Sequence, residues 1–370
     1  MISIMFKTVS ESCNLSCDYC YYSRNRGNPS KIRYPDPKAL EKLIDDYMHK
    51  TRGFASFIWQ GGEPLLAGID FFELAVYLEA KYAPQKTKIS NSIQTNGTLL
   101  NDRWAKFFRD YNFFVGVSLD GPAEIHDSRR VTSNGLGSFN EALRGVKFLE
   151  KYGVEYNILT VLHRGNIGRV RELMDFYEEN DFKWIQFLPA MKFHSQFPEE
   201  VGEYEISPEE YGDFLRAVFD RWYSTVINEG LPRYSIRFID SILSTYLGGD
   251  PGLCVISEKC SDTLIVEQNG DVFPCDFFMG NQWKLGNISL HTLDDLLRNK
   301  RYIKFMSLKP DLPEKCASCK WKSKCYGGCP RNRKYTAGKS DPDYFCKAYI
   351  KFYEYAEERM KHIVNLFVRT

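Results

Sequence analysis

This 370-residue chain lacks any stretch approaching the roughly 20 apolar residues that a membrane-spanning helix needs. Its opening residues, MISIMFKTVSESC, lack the basic start, long apolar core and small-residue cleavage site of an export signal, so a cytoplasmic protein is expected. An excess of one charge is missing too. With 49 Lys and Arg against 48 acidic residues, nothing in the balance points to nucleic acid or an anionic membrane as partner. The 6 histidines are scattered with no i, i+4 pair, and none is assigned as a metal ligand. Internal repeats and low-complexity linkers are also absent. The apolar content, 43%, supports a sizeable core, and the length suits two domains or one large barrel.

Cysteine is what the chain has in quantity. Cys13, Cys17 and Cys20 form a C-x3-C-x2-C run, and Cys254, Cys260, Cys275, Cys316, Cys319, Cys325, Cys329 and Cys346 lie in the last third. The total of 11 divides into three, four and four. Three thiolates leave one corner of a four-iron cluster open to a small molecule, whereas sets of four close two further sites. A disulfide framework does not suit a chain without an export signal and with C-x2-C spacings. Two four-thiolate zinc sites would also consume the last eight cysteines, and spacing alone leaves that alternative open.

Short apolar runs alternate with helical patterns to about residue 230. Strands are expected at 3–9, 56–60, 88–94, 114–119, 155–162 and 184–188, and helices at 36–52, 70–83, 102–110, 138–152, 167–180 and 208–229. Asp36 before Pro37, and Ser207 before Pro208 with Glu210 following, are N-cap signals. This alternation predicts parallel strands with covering helices, as in a complete or partial (β/α) barrel. Polar turns follow the strands: Ser10–Cys20 after the first, Gln60-Gly61-Gly62-Glu63-Pro64 after the second, Gln94-Thr95-Asn96-Gly97 after the third and Ser118-Leu119-Asp120-Gly121-Pro122 after the fourth. In a parallel barrel those C-terminal ends share the face on which sites are built. From about Arg233 loops lengthen and cysteines crowd in. Residues 347–366 form an amphipathic helix expected to cap the body, with Tyr349, Phe352, Tyr353, Ala356, Met360 and Ile363 on one stripe. Asn134-Gly135-Leu136-Gly137 falls short of a dinucleotide fingerprint and reads as a turn.

Cys13-Asn14-Leu15-Ser16-Cys17-Asp18-Tyr19-Cys20 resembles the C-x3-C-x-aromatic-C signature of radical S-adenosylmethionine enzymes. The resemblance implies a [4Fe-4S] cluster on three thiolates, with S-adenosyl-L-methionine on the fourth iron as source of a 5′-deoxyadenosyl radical. It also implies that Gly61, Gly62 and Glu63 receive the methionine amino group. Tyr19, Gln60, Thr95, Asn96, Ser118 and Arg130 match further positions of the cofactor pocket. The C-terminal cysteines, with Gly270 between Cys260 and Cys275, resemble the SPASM extension of the same superfamily, which carries two auxiliary [4Fe-4S] clusters. That likeness implies Cys254, Cys260, Cys275 and Cys329 for an inner cluster, and Cys316, Cys319, Cys325 and Cys346 for an outer one. The implied fold is α/β: a partial (β/α)6 TIM-like radical SAM barrel over 1–232, then a SPASM domain with C-terminal helix over 233–370.

Within that group QGGEP, IQTNGTL, VGVSLDGP with the following EIH, and VFPCDFF are similar to anaerobic sulfatase-maturating enzymes. Those enzymes oxidise Cys or Ser in a Cys/Ser-x-Pro-x-Arg motif to Cα-formylglycine. The likeness implies β-hydrogen abstraction by the adenosyl radical, Asp276 as general base, and an electron leaving through the auxiliary clusters. Implied partners are a peptide or unfolded sulfatase and an electron donor such as a flavodoxin or ferredoxin. A SPASM enzyme that cross-links or otherwise modifies another ribosomal peptide is the alternative, and a non-enzymatic metal-stabilised binding module is a third. Lys315, Lys320, Lys322, Lys324, Arg331, Arg333, Lys334 and Lys339 form a basic segment with three readings: docking of an acidic donor, offset of cluster charge, or a solvated loop.

Overall fold

The computed structural model describes residues 2–22, 36–191, 203–336 and 339–369. In chain order the first half carries β1 (Ser3–Lys7), α1 (Pro37–Met48), β2 (Phe54–Gln60), α2 (Ile69–Tyr82), β3 (Lys88–Thr95), α3 (Asp102–Asp110), β4 (Phe113–Ser118), α4 (Ala123–Asp127), α5 (Phe139–Tyr152), β5 (Tyr156–Leu162), α6 (Val170–Glu179) and β6 (Trp184–Pro189). Then follow α7 (Pro208–Glu229), β7 (Ser235–Ile236), α8 (Arg237–Tyr246), β8 (Thr263–Glu267), β9 (Asp271–Phe273), β10 (Gly286–Asn287), α9 (Leu293–Leu297), α10 (Lys300–Ser307), α11 (Glu314–Ala317), α12 (Lys322–Cys325), β11 (Tyr335–Thr336), β12 (Lys339–Ser340) and α13 (Cys346–Arg369).

All six expected strands and the six expected helices of the first 230 residues form, each within a few residues of its expected bounds. The caps act as their sequences suggest. Asp36 accepts from the Lys38 amide with Pro37 at the first turn of α1. Ser207 and Glu210 close a reciprocal capping box at α7, whose far end stops at Gly230 in the left-handed region. Among the described residues no helix is long and apolar enough to cross a membrane.

The chain folds into two compact units, the first comprising Met1–Leu119, His126–Tyr156 and Asp262–Phe305. Its strands run in the order β10-β9-β8-β1-β2-β3-β4, with β8, β1, β2, β3 and β4 parallel and β9 and β10 antiparallel. Strands β8, β9 and β10, of 5, 3 and 2 residues, were not expected from sequence; β8 nonetheless adds directly to the edge of β1. An aromatic core of Phe57, Trp59, Phe72, Trp104, Phe107, Phe108 and Phe113 packs under these strands, each ring worth roughly 1.5–3 kcal/mol of burial.

The second unit comprises Asp120–Ile125, Asn157–Ser261 and Met306–Thr370. Parallel β5, β6 and β7 form its sheet. Helix α13 is the expected capping helix: Tyr349, Phe352, Tyr353, Ala356, Met360 and Ile363 are all at most 4% exposed. It packs on α7 through Phe219 against Phe352, ring centroids 5.6 Å apart, and Phe345 just before it packs on Tyr211 of α7 at 4.9 Å. Gly212 permits this approach, since a Cβ there would stand 3.2 Å from the Ala348 Cα.

Candidate active site

The three N-terminal cysteines sit on a loop that leaves β1 and is pinned on both sides. The Ser16 amide donates to the Val131 carbonyl at 2.6 Å and Leu15 pairs with Thr132. On the other side the Glu63 amide donates to the Ser12 carbonyl at 2.9 Å. Gly62 makes that approach possible: with φ at +50°, any Cβ would lie 1.8 Å from the Ser12 oxygen. Glu63 itself is fully buried. Its carboxylate accepts from the Leu65 amide (3.0 Å), the Thr95 hydroxyl (2.8 Å) and the Asn96 amide (2.7 Å). Burial pushes its pKa up to about 7 despite those three donors. The turns after β2 and β3 are thereby locked to each other beside the cysteine loop.

The thiols share one electrostatic neighbourhood. Burial pushes Cys13 up to about 12, and the charges of Glu63, Cys17 and Cys20 add to it. Its sulfur accepts from the Leu15 amide at 3.3 Å and the Asn96 amide side chain at 3.8 Å. Asn96 also donates to Asn14 at 2.8 Å, and Asn14 to Thr98 at 2.8 Å. Three thiolates crowded beside a buried carboxylate repel one another, and a cationic iron group among them relieves that cost, so the residues present fit a cluster. Arg130, only 7% exposed, stacks its guanidinium 5.4 Å from the ring centre of Tyr19. Ser118, at the end of β4, accepts from Gln94 at 3.1 Å. Tyr19, Gly61, Gly62, Glu63, Thr95, Asn96, Ser118 and Arg130 thus all lie along the ends of β1 to β4 and the loop that pins them.

Beside this loop lies a charged network centred on Lys7, the last residue of β1. Strand register places Lys7 between Gln60 of β2 and Glu267 of β8. Its side chain is fully buried, donates to Gln60 Oε1 at 2.6 Å and forms an ion pair with Asp276. The other Asp276 oxygen accepts from the Tyr21 hydroxyl. Tyr22 donates to Glu267 at 2.6 Å, and its ring lies 4.3 Å from the Lys7 ammonium. Burial and the adjacent carboxylates hold both phenols well above 10, so they stay protonated donors. Asp276, on the turn that follows β9, is therefore held at one oxygen by the Tyr21 hydrogen bond and at the other by the Lys7 ion pair.

In the second unit Cys316, Cys319, Cys325 and Cys346 line one cleft with Trp321, Asp343, Tyr349 and Tyr353. Burial raises Cys325 to about 12 and Cys346 to about 11. Cys254, Cys260 and Cys329 form a second neighbourhood, in which burial raises Cys260 to about 12 and charges on Cys329 and Cys254 add to it. No cysteine is in a disulfide among the described residues, and no group there converges tightly enough to hold a single metal ion. Four thiols lining one cleft supply the donor set of a four-iron cluster.

The radical SAM superfamily model matches residues 8–177, and SPASM, an iron-sulfur cluster-binding domain, matches 254–320. A cysteine-type anaerobic sulfatase-maturating enzyme of Clostridium perfringens is 38% identical, with 98% of this chain and 98% of its own covered. The chain belongs to the anaerobic sulfatase-maturating enzymes. A serine-type member from Bacteroides thetaiotaomicron is 35% identical over 96% of this chain and 90% of its own. The solved structure of native anSMEcpe with bound AdoMet and Cp18Cys peptide matches with a TM-score of 0.91 at 35% identity, covering 98% and 99% of the two chains. The α/β fold with parallel strands, SPASM extension and C-terminal helix is the fold of this family.

For this family member, sequence reasoning passed over Lys7, Tyr21, Tyr22 and Glu267. Their signal was present but faint: a lysine inside an apolar strand, and two tyrosines directly after Cys20. Of the eight basic residues of the 315–339 segment, Arg333 is 2% exposed, Lys320 pairs with Glu357 at 3.0 Å, and Lys324 donates to the Thr245 carbonyl at 3.0 Å. The segment is not one continuous solvated patch; Lys315, Lys320, Lys322, Lys334 and Lys339 are its exposed members.

Proposed function

We propose that this enzyme oxidises a Cys or Ser side chain in a Cys/Ser-x-Pro-x-Arg segment of a peptide or unfolded sulfatase to Cα-formylglycine. The observation that carries this reading is the Asp276 carboxylate, held by Lys7 and Tyr21 in the same compact unit as the three-thiol loop. In this reading Cys13, Cys17 and Cys20 hold the first [4Fe-4S] cluster. Cys254, Cys260, Cys275 and Cys329 hold the inner auxiliary cluster, and Cys316, Cys319, Cys325 and Cys346 the outer. Tyr19, Gln60, Gly61, Gly62, Glu63, Thr95, Asn96, Ser118 and Arg130 form the S-adenosylmethionine pocket, with Glu63 shaping it through the Thr95 hydroxyl and the Asn96 backbone amide.

With clusters and S-adenosylmethionine bound, that assembly supplies a 5′-deoxyadenosyl radical for β-hydrogen removal and an exit for one electron. The chain's own contribution is positional and acid–base. Asp276 accepts the proton of the substrate thiol or hydroxyl at a carboxylate oxygen. Lys7 and Tyr21 keep that carboxylate from rotating away. With serine the aldehyde forms directly; with cysteine a thioaldehyde is hydrolysed, releasing sulfide. An acidic flavodoxin or ferredoxin supplies electrons, met by Lys315 and Lys322, and the compartment is the cytoplasm. The domain division is 1–232 for the radical SAM part and 233–370 for the SPASM part.

The test is an anaerobic reaction of reconstituted enzyme, S-adenosylmethionine and dithionite with paired peptides carrying Cys-x-Pro-x-Arg or Ser-x-Pro-x-Arg. Aldehyde mass matched by 5′-deoxyadenosine is the expected result, and the preferred peptide names the target residue. Deoxyadenosine with no peptide change would refute the sulfatase substrate while leaving radical chemistry in place.

A further inference from the structure

One buried cation in the second unit has no role in the chemistry above. Lys309, just past α10, is 1% exposed, and its ammonium donates to the Gly328 carbonyl at 2.6 Å and the Val255 carbonyl at 3.1 Å. Gly328 directly precedes Cys329, and Val255 directly follows Cys254. No carboxylate among the described residues pairs with it; burial lowers its pKa, and the charges of Cys329, Cys260, Cys254 and Cys325 oppose that shift. The influence runs both ways, since Lys309 draws down the thiols of Cys260 and Cys325.

The backbone that carries Lys309 is fixed as firmly as its side chain. Arg333, also buried, donates to the carbonyls of Leu308 (2.9 Å), Asp311 (2.8 Å), Gly327 (3.1 Å) and Lys309 itself (3.3 Å). A lone buried ammonium costs several kcal/mol, which is tolerable only beside compensating negative charge. Among the described residues the charges that act on it are thiolates, from three residues of one ligand set and one of the other, while the buried Asp343 carboxylate nearby is engaged by the Cys329 and Phe345 amides and Asn332.

We propose that Lys309 is a positioning residue for electron exit: its ammonium offsets the thiolate charge of the two auxiliary clusters and raises their readiness to accept an electron. This rests on the ligand sets assigned above. Positive charge close to a cluster stabilises its reduced form, and the strength of that effect grows in a buried, low-dielectric setting. The charge stands nearest the Cys254, Cys260 and Cys329 set, so the inner cluster is the more affected of the two.

The experiment is an EPR-monitored redox titration of reconstituted enzyme in a Cys13→Ala, Cys17→Ala, Cys20→Ala background, which leaves only auxiliary clusters to titrate. Lys309→Met and Lys309→Arg are compared with that parent, with iron counted in each. The expected result is about eight irons per chain in the parent, a lower midpoint for at least one cluster in Lys309→Met, and a parent-like midpoint in Lys309→Arg. Loss of iron from Lys309→Met but not from Lys309→Arg would equally support charge compensation. Unchanged midpoints in an iron-replete Lys309→Met, or loss of iron from both variants, would overturn it. A parent holding far fewer than eight irons would fail the ligand assignment itself, a result separable from any effect of Lys309.

Discussion

The three-thiol loop near the N-terminus and the thiol cleft near the C-terminus solve opposite problems. Around Cys13 the neighbours are polar and oriented: Asn96, Asn14, Thr98, Glu63, and Arg130 stacked on Tyr19. Around Cys316, Cys325 and Cys346 they are bulky and apolar, namely Trp321, Tyr349, Ile350 and Tyr353, with Asp343 buried among them. A set of three leaves an iron for a small molecule, so its surroundings must also recognise that molecule. A set of four leaves nothing to recognise, so its surroundings need only insulate and balance charge. Ligand number thus dictates the chemistry of the wall around each site.

The largest effects should separate the two sites outright. Cys13→Ala should bring 5′-deoxyadenosine formation to background, measured by chromatography after anaerobic incubation with dithionite. Cys316→Ala should leave deoxyadenosine formation standing while aldehyde yield per deoxyadenosine falls at least about tenfold, because only electron exit is cut. Equal loss of deoxyadenosine in both variants would erase the functional distinction between the loop and the cleft.

Asp276→Asn tests the network beside the open site. One side-chain oxygen remains for Lys7 or Tyr21, so the fold should hold, but the proton acceptor is gone. Deuterium from a β-deuterated substrate should still reach deoxyadenosine, while aldehyde falls by about two orders of magnitude, within the usual range for general-base removal. Mass spectrometry reads both products from one reaction, and normal aldehyde yield would remove Asp276 from the mechanism.

How much of this was legible in sequence differs between the sites for the same reason. Each element up to α7 except the five-residue α4 announced itself, because an apolar run such as Phe54–Gln60 or a cap such as Ser207 with Glu210 is a local signal. The three-thiol loop and the turns at Gly61–Glu63 and Thr95–Asn96 were legible as well, being contiguous motifs at strand ends. Strands β9 and β10 were not, since three and two residues carry no periodicity. Buried cations escaped for a different reason. Lys7, Lys309 and Arg333 look like solvated charges until pairing over 269, 19 and 25 residues of sequence brings Asp276, the Gly328 carbonyl and the Leu308 carbonyl to them.

Gly62→Ala sharpens the comparison at the level of stability. The added methyl would meet the Ser12 carbonyl at 1.8 Å in a left-handed conformation, so the turn or the cysteine loop must move. A loss of about 4 kcal/mol is expected, near the upper end for single substitutions. Denaturant unfolding of the cluster-free protein should show it. Gly135→Ala has a similar positive φ but open space around its Cβ, and should cost only about 1 kcal/mol. Equal losses would mean that backbone strain, not the close approach to the loop, decides the matter.

The smallest effect is the pH dependence that Glu63 of the open site should contribute in the cluster-free protein. Glu63 ionises near 7 in the folded state against 4.5 for its ordinary value, burial being the cause. Between those values the unfolded chain holds fewer protons than the folded one, so stability falls as pH rises from about 4.5 to about 7 and levels off above. The Glu63 share of that fall is at most about 3 kcal/mol, from about 1.4 kcal/mol per pH unit. Glu63→Gln cannot ionise and must lose this share, although it also loses an acceptor for the Asn96 amide and starts from a lower value. The gap between wild type and Glu63→Gln should therefore narrow as pH rises through this window, measured by denaturant unfolding at pH 4.5, 6 and 7.5. Parallel curves would mean that the Leu65, Thr95 and Asn96 donors fully offset burial, leaving Glu63 at its ordinary value and anionic over most of this window. The carboxylate would then add a permanent negative charge beside Cys13, and the open site would carry the same kind of charge burden that Lys309 relieves in the closed ones.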